Sequence, residues 1–180
     1  GTLVIAISQS GETMDTLMAV RHAKAAGGRV LAICNTNSST IPRESDAVLY
    51  THAGPEIAVA STKALLTQMV AVYLIGLHLA QVNGSLGDAE VEGLYNELLE
   101  LPGKIEQILE TVEPLRALTR SFAENNIVLF LGRNIGYPVA LEGALKLKEL
   151  AYIHAEGFAG GELKHGPIAL IDQGTPVIAI

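Results

Sequence analysis

Short apolar runs alternate with longer segments of helical period along this chain of 180 residues. Each run predicts a buried strand, because a strand that is covered on both faces is apolar throughout. The segment 13–26 has Leu17, Val20 and Ala23 at helical spacing and predicts an amphipathic helix that ends at a glycine pair. In chain order the pattern predicts strands at 3–7, 30–34 and 47–50, a helix at about 56–79, a strand at 127–131, a helix at 139–153 and a strand at 176–180.

This alternation predicts an α/β fold in which an open parallel sheet is flanked by helices, with the first run as a central strand. The order strand, turn, helix returns after residue 124, and the last run, "PVIAI", nearly repeats the "LVIAI" of residues 3–7. We therefore predict two related lobes, at 1–80 and 125–180, with a connection of one or two helices at 81–124. Because the chain starts and ends inside these lobes, we expect both to be truncated.

The composition narrows the classes of function. The formal net charge is −7, and the Lys and Arg residues form no run or stripe, which argues against nucleic-acid binding. The single cysteine, Cys34, excludes an internal disulfide and ends an apolar run, so we expect a buried thiol in a reducing compartment. We expect no secretory leader before the first strand. We expect a cytoplasmic protein.

The most apolar window, 64–80, contains Thr67, Gln68 and His78. It is shorter than the roughly 20 residues that a membrane-spanning helix needs. We therefore predict a buried helix and no membrane partner.

The first predicted strand ends in an unusually polar loop, "SQSGET" at residues 8–13. Two interpretations remain open from the residues alone. Ser10 or Thr13 could cap the following helix. Alternatively, the hydroxyls and the glycine could cradle an anion at the helix N-terminus, where unpaired N–H groups and the helix dipole favour negative charge. Because the loop has no Lys or Arg, it suits a single sugar phosphate better than a nucleotide triphosphate.

A second polar cluster lies on the helix predicted at 139–153. Glu142, Lys146 and Glu149 are spaced i, i+4 and i+7, and therefore share one face. This face could be a surface ion-pair ladder. However, a glycine-rich segment that carries His165 follows the helix, and we expect it to be an exposed loop of the kind that often holds functional groups.

Three stretches identify a resemblance that extends over nearly the whole chain. "SQSGETMDT" resembles the phosphate loop of sugar isomerase (SIS) domains. "AGPEIAVASTKALLTQ" and "LGRNIGYPVALEGALKLKELAYIHAEGFAGGELKHGP" resemble the isomerase half of the glucosamine-6-phosphate synthase family. The segment at 81–124 carries little of this resemblance. The expected fold is therefore of SIS type.

The resemblance implies an aldose–ketose isomerisation. Glu149 is expected to carry a proton between C1 and C2, Lys146 to assist at the same centre, and His165 to open the sugar ring. These residue types suit the roles, because a carboxylate can move a proton, an ammonium can stabilise an enediol oxygen, and imidazole titrates near neutral pH.

The resemblance also implies ligands and partners. We expect a sugar-phosphate substrate, a homodimer in which His165 reaches the neighbouring subunit's site, and a glutaminase domain in the full-length chain. The family's C-terminal lysine, which forms a Schiff base with the open sugar, is absent here, so this fragment by itself is expected to bind poorly. The expected substrate contacts are Ser8, Gln9, Ser10 and Thr13 for the phosphate, and Val59 and Ser61 for the sugar.

Other conspicuous residues carry weaker indications. Lys63 fits a surface lysine, and His154 fits the end of the preceding helix, where it would favour the helix dipole. The remaining histidines have no ligand-like spacing, so we assign neither a metal site nor a cofactor. Two alternative functions stay open: an SIS isomerase or deaminase without a glutaminase domain, and a phosphosugar-sensing module without turnover.

Overall fold

The computed structural model describes residues 1–121 and 124–180. The chain forms two compact units, Gly1–Glu100 and Leu101–Ile180. The boundary between the two units lies inside the segment 81–124. The predicted lobe boundaries, 1–80 and 125–180, stay a prediction. Three helices begin among the described residues of the segment 81–124, where the pattern predicts one or two: α4 (Asp88–Leu99), α5 (Leu101–Leu109) and α6 (Val112–Ser121).

The first unit is built on a three-stranded parallel sheet, as the sequence predicts. The strand order is β1–β2–β3, so the expectation that the first strand is central is wrong for the described residues, and β2 takes that place. A short helix, α2, lies between β2 and β3, where the pattern of apolar runs predicts no helix. The elements are β1 (Leu3–Ser8), α1 (Met14–Ala25), β2 (Arg29–Cys34), α2 (Thr40–Glu44), β3 (Ala47–Tyr50) and α3 (Lys63–Val82), followed by α4.

The core of this unit lies between α1 and one face of the sheet. Leu17 and Val20 are buried, and Ala23 is partly buried against them, which confirms the predicted inner face of α1. The same cluster contains strand residues of β1 and β2 and one residue of α2, namely Ala6, Val30, Ala32 and Ile41. Burial of these side chains anchors the β1–α1 turn, which carries the polar loop.

Helix α3 begins later than the sequence predicts, at Lys63 and not at about residue 56. It is also less covered than predicted, because only 11% of its most apolar window is buried. A groove of about 440 Å³ separates Ile7 from Met69 and Tyr73 of the helix. By length and composition α3 is the one helix among the described residues that could cross a membrane, although core helices of soluble proteins meet the same criterion.

The second unit repeats the pattern of strand, turn and helix. Its three strands are parallel in the order β5–β4–β6, and the buried side chains of β4 pack against Ala140 and Ala144 of α7. Two 3₁₀ helices, Gly160–His165 and Pro167–Leu170, follow β5. The other elements are α5, α6, β4 (Ile127–Gly132), α7 (Gly136–Ala151), β5 (His154–Ala159) and β6 (Val177–Ala179).

Strand β5 replaces the start of the long loop that the glycines predict. Tyr152 adopts a left-handed conformation (φ 57°) that ends α7, so the helix does not extend to residue 153 as predicted. His154 therefore lies in a strand and not at a helix end, and its Nε2 is 3.4 Å from a Glu156 carboxylate oxygen. Gly157 suits this strand, because a Cβ there would lie 2.9 Å from the Leu141 side chain of α7.

Asp46 links the beginnings of two strands in the first unit. Its carboxylate accepts a hydrogen bond from the Val30 N–H (2.8 Å) and lies 3.3 Å from Lys24 Nζ. The Val30 N–H, followed by Lys24, lowers the pKa of Asp46. Because the folded-state pKa is below the unfolded value, the ionised carboxylate stabilises the fold above about pH 4, and this contribution is lost as the pH falls through the folded-state pKa.

We therefore expect Asp46→Asn to lower the free energy of unfolding at neutral pH, with the difference from wild type shrinking below about pH 4. Urea unfolding at a series of pH values measures this difference. Asp15→Asn, which removes the same charge from the surface of α1, is the control. A difference for Asp46→Asn that does not change with pH would contradict the assignment.

Candidate active site

The polar loop in the β1–α1 turn is organised by its own hydroxyl groups. Ser8 is buried, and its Oγ accepts a hydrogen bond from the Gly11 N–H (3.0 Å) and lies 3.3 Å from Thr13 Oγ1. Ser10 Oγ accepts from the Glu12 N–H (3.3 Å). Thr13 is the N-cap residue of α1, but its side chain makes no capping hydrogen bond, so helix capping does not explain this hydroxyl.

The loop is held from one side by the segment that follows β2. The Gln9 carbonyl accepts from the Asn35 N–H (3.2 Å), and the Gly11 carbonyl accepts from the Ile41 N–H (2.9 Å). The Glu12 carboxylate accepts from the Thr40 N–H (2.8 Å), and hydrogen bonding from the Thr40 side chain and N–H lowers the pKa of Glu12. Two carbonyl oxygens of the loop thus accept hydrogen bonds within the protein. This suits a loop that receives an anion at a helix N-terminus, because carbonyl oxygens carry partial negative charge.

Gly11 is required at the centre of this loop. Its φ is +70°, and a Cβ there would overlap Ser39 Oγ and lie 2.7 Å from Ser39 Cβ and 2.9 Å from Cys34 Sγ. Cys34 is fully buried, as the sequence predicts, and is a free thiol. The loop therefore packs directly on the end of β2.

Asn35 connects this loop to the segment that follows β3. Besides its backbone contact to Gln9, its side-chain Oδ1 accepts from the Thr51 hydroxyl (3.1 Å) and the Ala53 N–H (2.9 Å), and its Nδ2 donates to the Gly54 carbonyl (2.8 Å). Asn35 follows the predicted strand at 30–34 and belongs to no pattern in the sequence, so its role was not predictable.

The segment 57–61 contains Val59 and Ser61, the two expected sugar contacts. Val59 is fully exposed, and Ser61 is half-buried with a positive φ of 37°. The carboxylate of Glu56 closes this segment by accepting hydrogen bonds from Thr62 and Ala64. Glu56, which the pattern assigns to the start of a helix, is thus a loop residue whose carboxylate contacts the first turn of α3.

In the second unit, α7 brings Lys146 and Glu149 into contact, as their spacing predicts. Lys146 Nζ lies 2.6 Å from a Glu149 carboxylate oxygen and 3.2 Å from Glu142, and the lysine side chain is only 23% exposed. Burial by itself lowers the pKa of Lys146, but the hydrogen bonds and charges of Glu149 and Glu142 outweigh it and raise that pKa above its ordinary value. Lys146 is therefore an ammonium at neutral pH.

His165 ends the first 3₁₀ helix after β5. Its Nδ1 lies 2.9 Å from a carboxylate oxygen of Glu162, three residues earlier, and both side chains are more than half exposed. The structure thus pairs His165 with Glu162, a residue that the sequence analysis did not select. The sequence signal for this pair was the spacing of three residues between Glu162 and His165 in a short polar segment.

The described residues contain no group of three or more His, Cys, Asp or Glu that could hold a metal ion. The predicted site residues occur in two sets. The first unit carries Ser8, Gln9, Ser10, Thr13, Val59 and Ser61, and the second carries Lys146, Glu149 and His165. Each set has polar side chains whose positions are fixed by named hydrogen bonds.

Comparison with known proteins gives a family match. The model of the SIS domain family matches residues 1–77 and 121–180. A glutamine–fructose-6-phosphate aminotransferase [isomerizing] of Streptomyces coelicolor is 68% identical over 99% of this chain, and the match spans 29% of the length of that protein. The chain therefore corresponds to less than a third of this relative.

Solved structures agree with the family match. The C-terminal domain of glucosamine-fructose-6-phosphate aminotransferase from Francisella tularensis matches 98% of this chain and 50% of its own length, with a TM-score of 0.95 and 43% identity. Glucosamine-6-phosphate deaminase of Thermotoga maritima matches 99% of this chain and 52% of its own, with a TM-score of 0.70 and 26% identity.

Proposed function

Because this chain belongs to the SIS domain family, we propose that it is the sugar-phosphate isomerase region of an enzyme that makes glucosamine 6-phosphate from fructose 6-phosphate and glutamine-derived ammonia. The observation that carries this proposal is the 2.6 Å contact between Lys146 and Glu149 on α7. A partly buried ammonium beside a carboxylate supplies a fixed positive charge next to a group that can take a proton, which isomerisation through an enediol requires.

In the proposed reaction each group has one task. The Ser8–Thr13 loop binds the phosphate through hydroxyl and backbone N–H groups. Ammonia condenses with the C2 carbonyl and water is released. The carboxylate of Glu149 then takes a proton from C1 and returns it at C2, while the C1 hydroxyl proton passes to the nitrogen, so the C2 imine becomes the amino aldose. Lys146, held as an ammonium, stabilises the oxygen that carries negative charge in between. During ring opening, His165 moves a proton between the hydroxyl of the anomeric carbon and the ring oxygen.

The proposal includes partners. We propose a homodimer in which His165 acts in the neighbouring subunit's site, as the resemblance to the family implies. We also propose a glutaminase domain in the full-length chain, which is supported by the 29% share that this chain covers of its aminotransferase relative. A cytoplasmic location fits the single cysteine, which is free and buried.

A second candidate function is a deaminase or isomerase of the same family without a glutaminase domain. The similarity to the Thermotoga maritima deaminase favours it, but at 26% identity against 68% for the aminotransferase. A sensing module without turnover is disfavoured, because it has no need of the Lys146–Glu149 pair. Production of glucosamine 6-phosphate from fructose 6-phosphate and glutamine by the full-length protein separates these functions.

We expect Ser10→Ala in the full-length protein to weaken fructose 6-phosphate binding about tenfold, because a hydrogen bond to a charged phosphate is lost. Isothermal titration calorimetry with fructose 6-phosphate and glucosamine 6-phosphate measures this effect. Ser85→Ala, in the turn after α3, is the matched control and should bind both ligands as the wild type does. Equal affinities for Ser10→Ala and wild type would contradict the assignment of the phosphate loop.

A further inference from the structure

Glu56 makes an unusual set of contacts for a residue in a connecting segment. One carboxylate oxygen accepts hydrogen bonds from the Thr62 N–H (3.1 Å) and the Ala64 N–H (2.9 Å), and the other accepts from the Thr62 hydroxyl (3.1 Å). Thr62 is the N-cap residue of α3 and makes no capping bond with its own side chain. Glu56 therefore satisfies the N–H groups of the N-cap residue and of one first-turn residue of α3, which lie six and eight positions further along the chain.

These contacts join the two ends of the segment 57–61, because Glu56 precedes it and Thr62 follows it. Residues outside helices and strands lose considerable backbone freedom when they are fixed in one conformation. Ile57 is 93% exposed and Val59 is 100% exposed, so among the larger apolar side chains of the segment none is fixed by packing, and only the small side chain of Ala60 is buried. Ser61 has a positive φ of 37°, which a non-glycine residue adopts only where surrounding contacts hold it. The Glu56 carboxylate supplies such contacts directly beside Ser61.

We infer that Glu56 is a positioning residue that fixes the 57–61 segment in the conformation that contacts the sugar. The inference rests on the proposed function, in which Val59 and Ser61 contact the sugar. Glu56 itself touches no substrate in this arrangement and acts through the backbone of the segment.

The ionisation of Glu56 supports this geometry. The Ala64 N–H, ahead of the contacts from Thr62, lowers the pKa of Glu56. The carboxylate is therefore ionised at neutral pH, and its bonds to backbone N–H groups are of the stronger, charge-assisted kind. Glutamine at this position would keep the size of the side chain and lose the charge and one acceptor oxygen.

The experiment compares two ligands on variants of the full-length protein. Isothermal titration calorimetry is carried out with fructose 6-phosphate and with inorganic phosphate. We expect Glu56→Gln to bind fructose 6-phosphate about tenfold more weakly, the low end of what losing hydrogen bonds to a charged group costs, and to bind inorganic phosphate as the wild type does. Ser10→Ala, by contrast, should lose affinity for both ligands.

Glu90→Gln is the matched control for a purely structural role. Glu90 also accepts a hydrogen bond from the backbone at the start of a helix, the Gly87 N–H of α4 (2.9 Å), but lies outside the proposed site. It should lower the melting temperature without changing either affinity. Where Glu56→Gln does not fold, Thr62→Val removes only the hydroxyl donor and should show a smaller loss for fructose 6-phosphate alone.

The outcomes separate the inference from the proposed function. Wild-type affinity for fructose 6-phosphate in the folded Glu56 variant, or in Thr62→Val, overturns the inference and leaves the proposed function standing. An equal loss for both ligands also overturns it, because Glu56 would then act through the whole fold. If the wild-type protein fails to bind fructose 6-phosphate, the proposed function falls, and the inference falls with it.

Discussion

Glu149→Gln in the full-length protein should still bind fructose 6-phosphate but lose isomerisation. An amide cannot take a proton from carbon at neutral pH, whereas it keeps the shape of the carboxylate and can still accept a hydrogen bond from Lys146. Loss of a proton-transfer group lowers the rate by about a hundred- to ten-thousand-fold. The measurement is the conversion rate of fructose 6-phosphate beside its affinity from calorimetry.

Glu142→Gln is the control on the same helix. Glu142 also contacts Lys146, at 3.2 Å against 2.6 Å for Glu149, and its replacement removes the same charge. We expect a much smaller loss of rate for this variant, because Glu142 contacts the ammonium of Lys146 but does not carry the proton in the proposed reaction. Similar rates for the two variants, or an unchanged rate in Glu149→Gln, would contradict the proposed mechanism.

Gly11→Ala should destabilise the first unit by about 2–5 kcal/mol, the sum of backbone strain at positive φ and overpacking. The new Cβ would overlap Ser39, the N-cap residue of α2, and press on Cys34, the last residue of β2, so the loop would have to leave its position. Urea unfolding measures the loss of stability. Affinity for fructose 6-phosphate should fall as well, because the loop that binds the phosphate is displaced.

Gly27→Ala isolates the contribution of the clash. Gly27 has a similar φ of +80°, but a Cβ there would meet nothing within 4 Å. This variant should therefore lose only about 1–2 kcal/mol, from backbone strain. If Gly11→Ala is no more destabilising than Gly27→Ala, the close packing of the loop on Ser39 is not a constraint on the sequence.

Strands β1, β2, β3, β4 and β6 were predictable because each contains a short apolar run. Strand β1 is not covered on both faces as predicted, because Leu3, Ile5 and Ile7 are exposed. The structure confirms parallel pairing for β1 with β2 and for β4 with β6. The inner face of α1 was equally predictable from the helical period of its apolar residues. The spacing of Glu142, Lys146 and Glu149 predicted their contacts on one helix face. Local period and spacing are sufficient where an element is continuous.

Elements that depend on distant contacts were not predictable. Strand β5 has glycines and polar residues that indicate a loop, and it forms because it pairs with β4 along six residue positions. The start of α3 is moved from residue 56 to Lys63, and the Glu56 carboxylate contacts its first turn from the preceding loop. In both places a tertiary contact overrides the local preference of the chain.

By itself the sequence determined the α/β class, the polar loop after β1 and the cluster on α7, since each depends on residues that are neighbours along the chain. Only the tertiary structure decided how these features are held. The Gly11 backbone rests on Ser39, Glu12 reaches Thr40, and Asn35 ties the loop to the segment after β3. Such contacts join residues far apart in sequence, and a hydrogen bond or a close approach of this kind leaves no periodic signal in the chain.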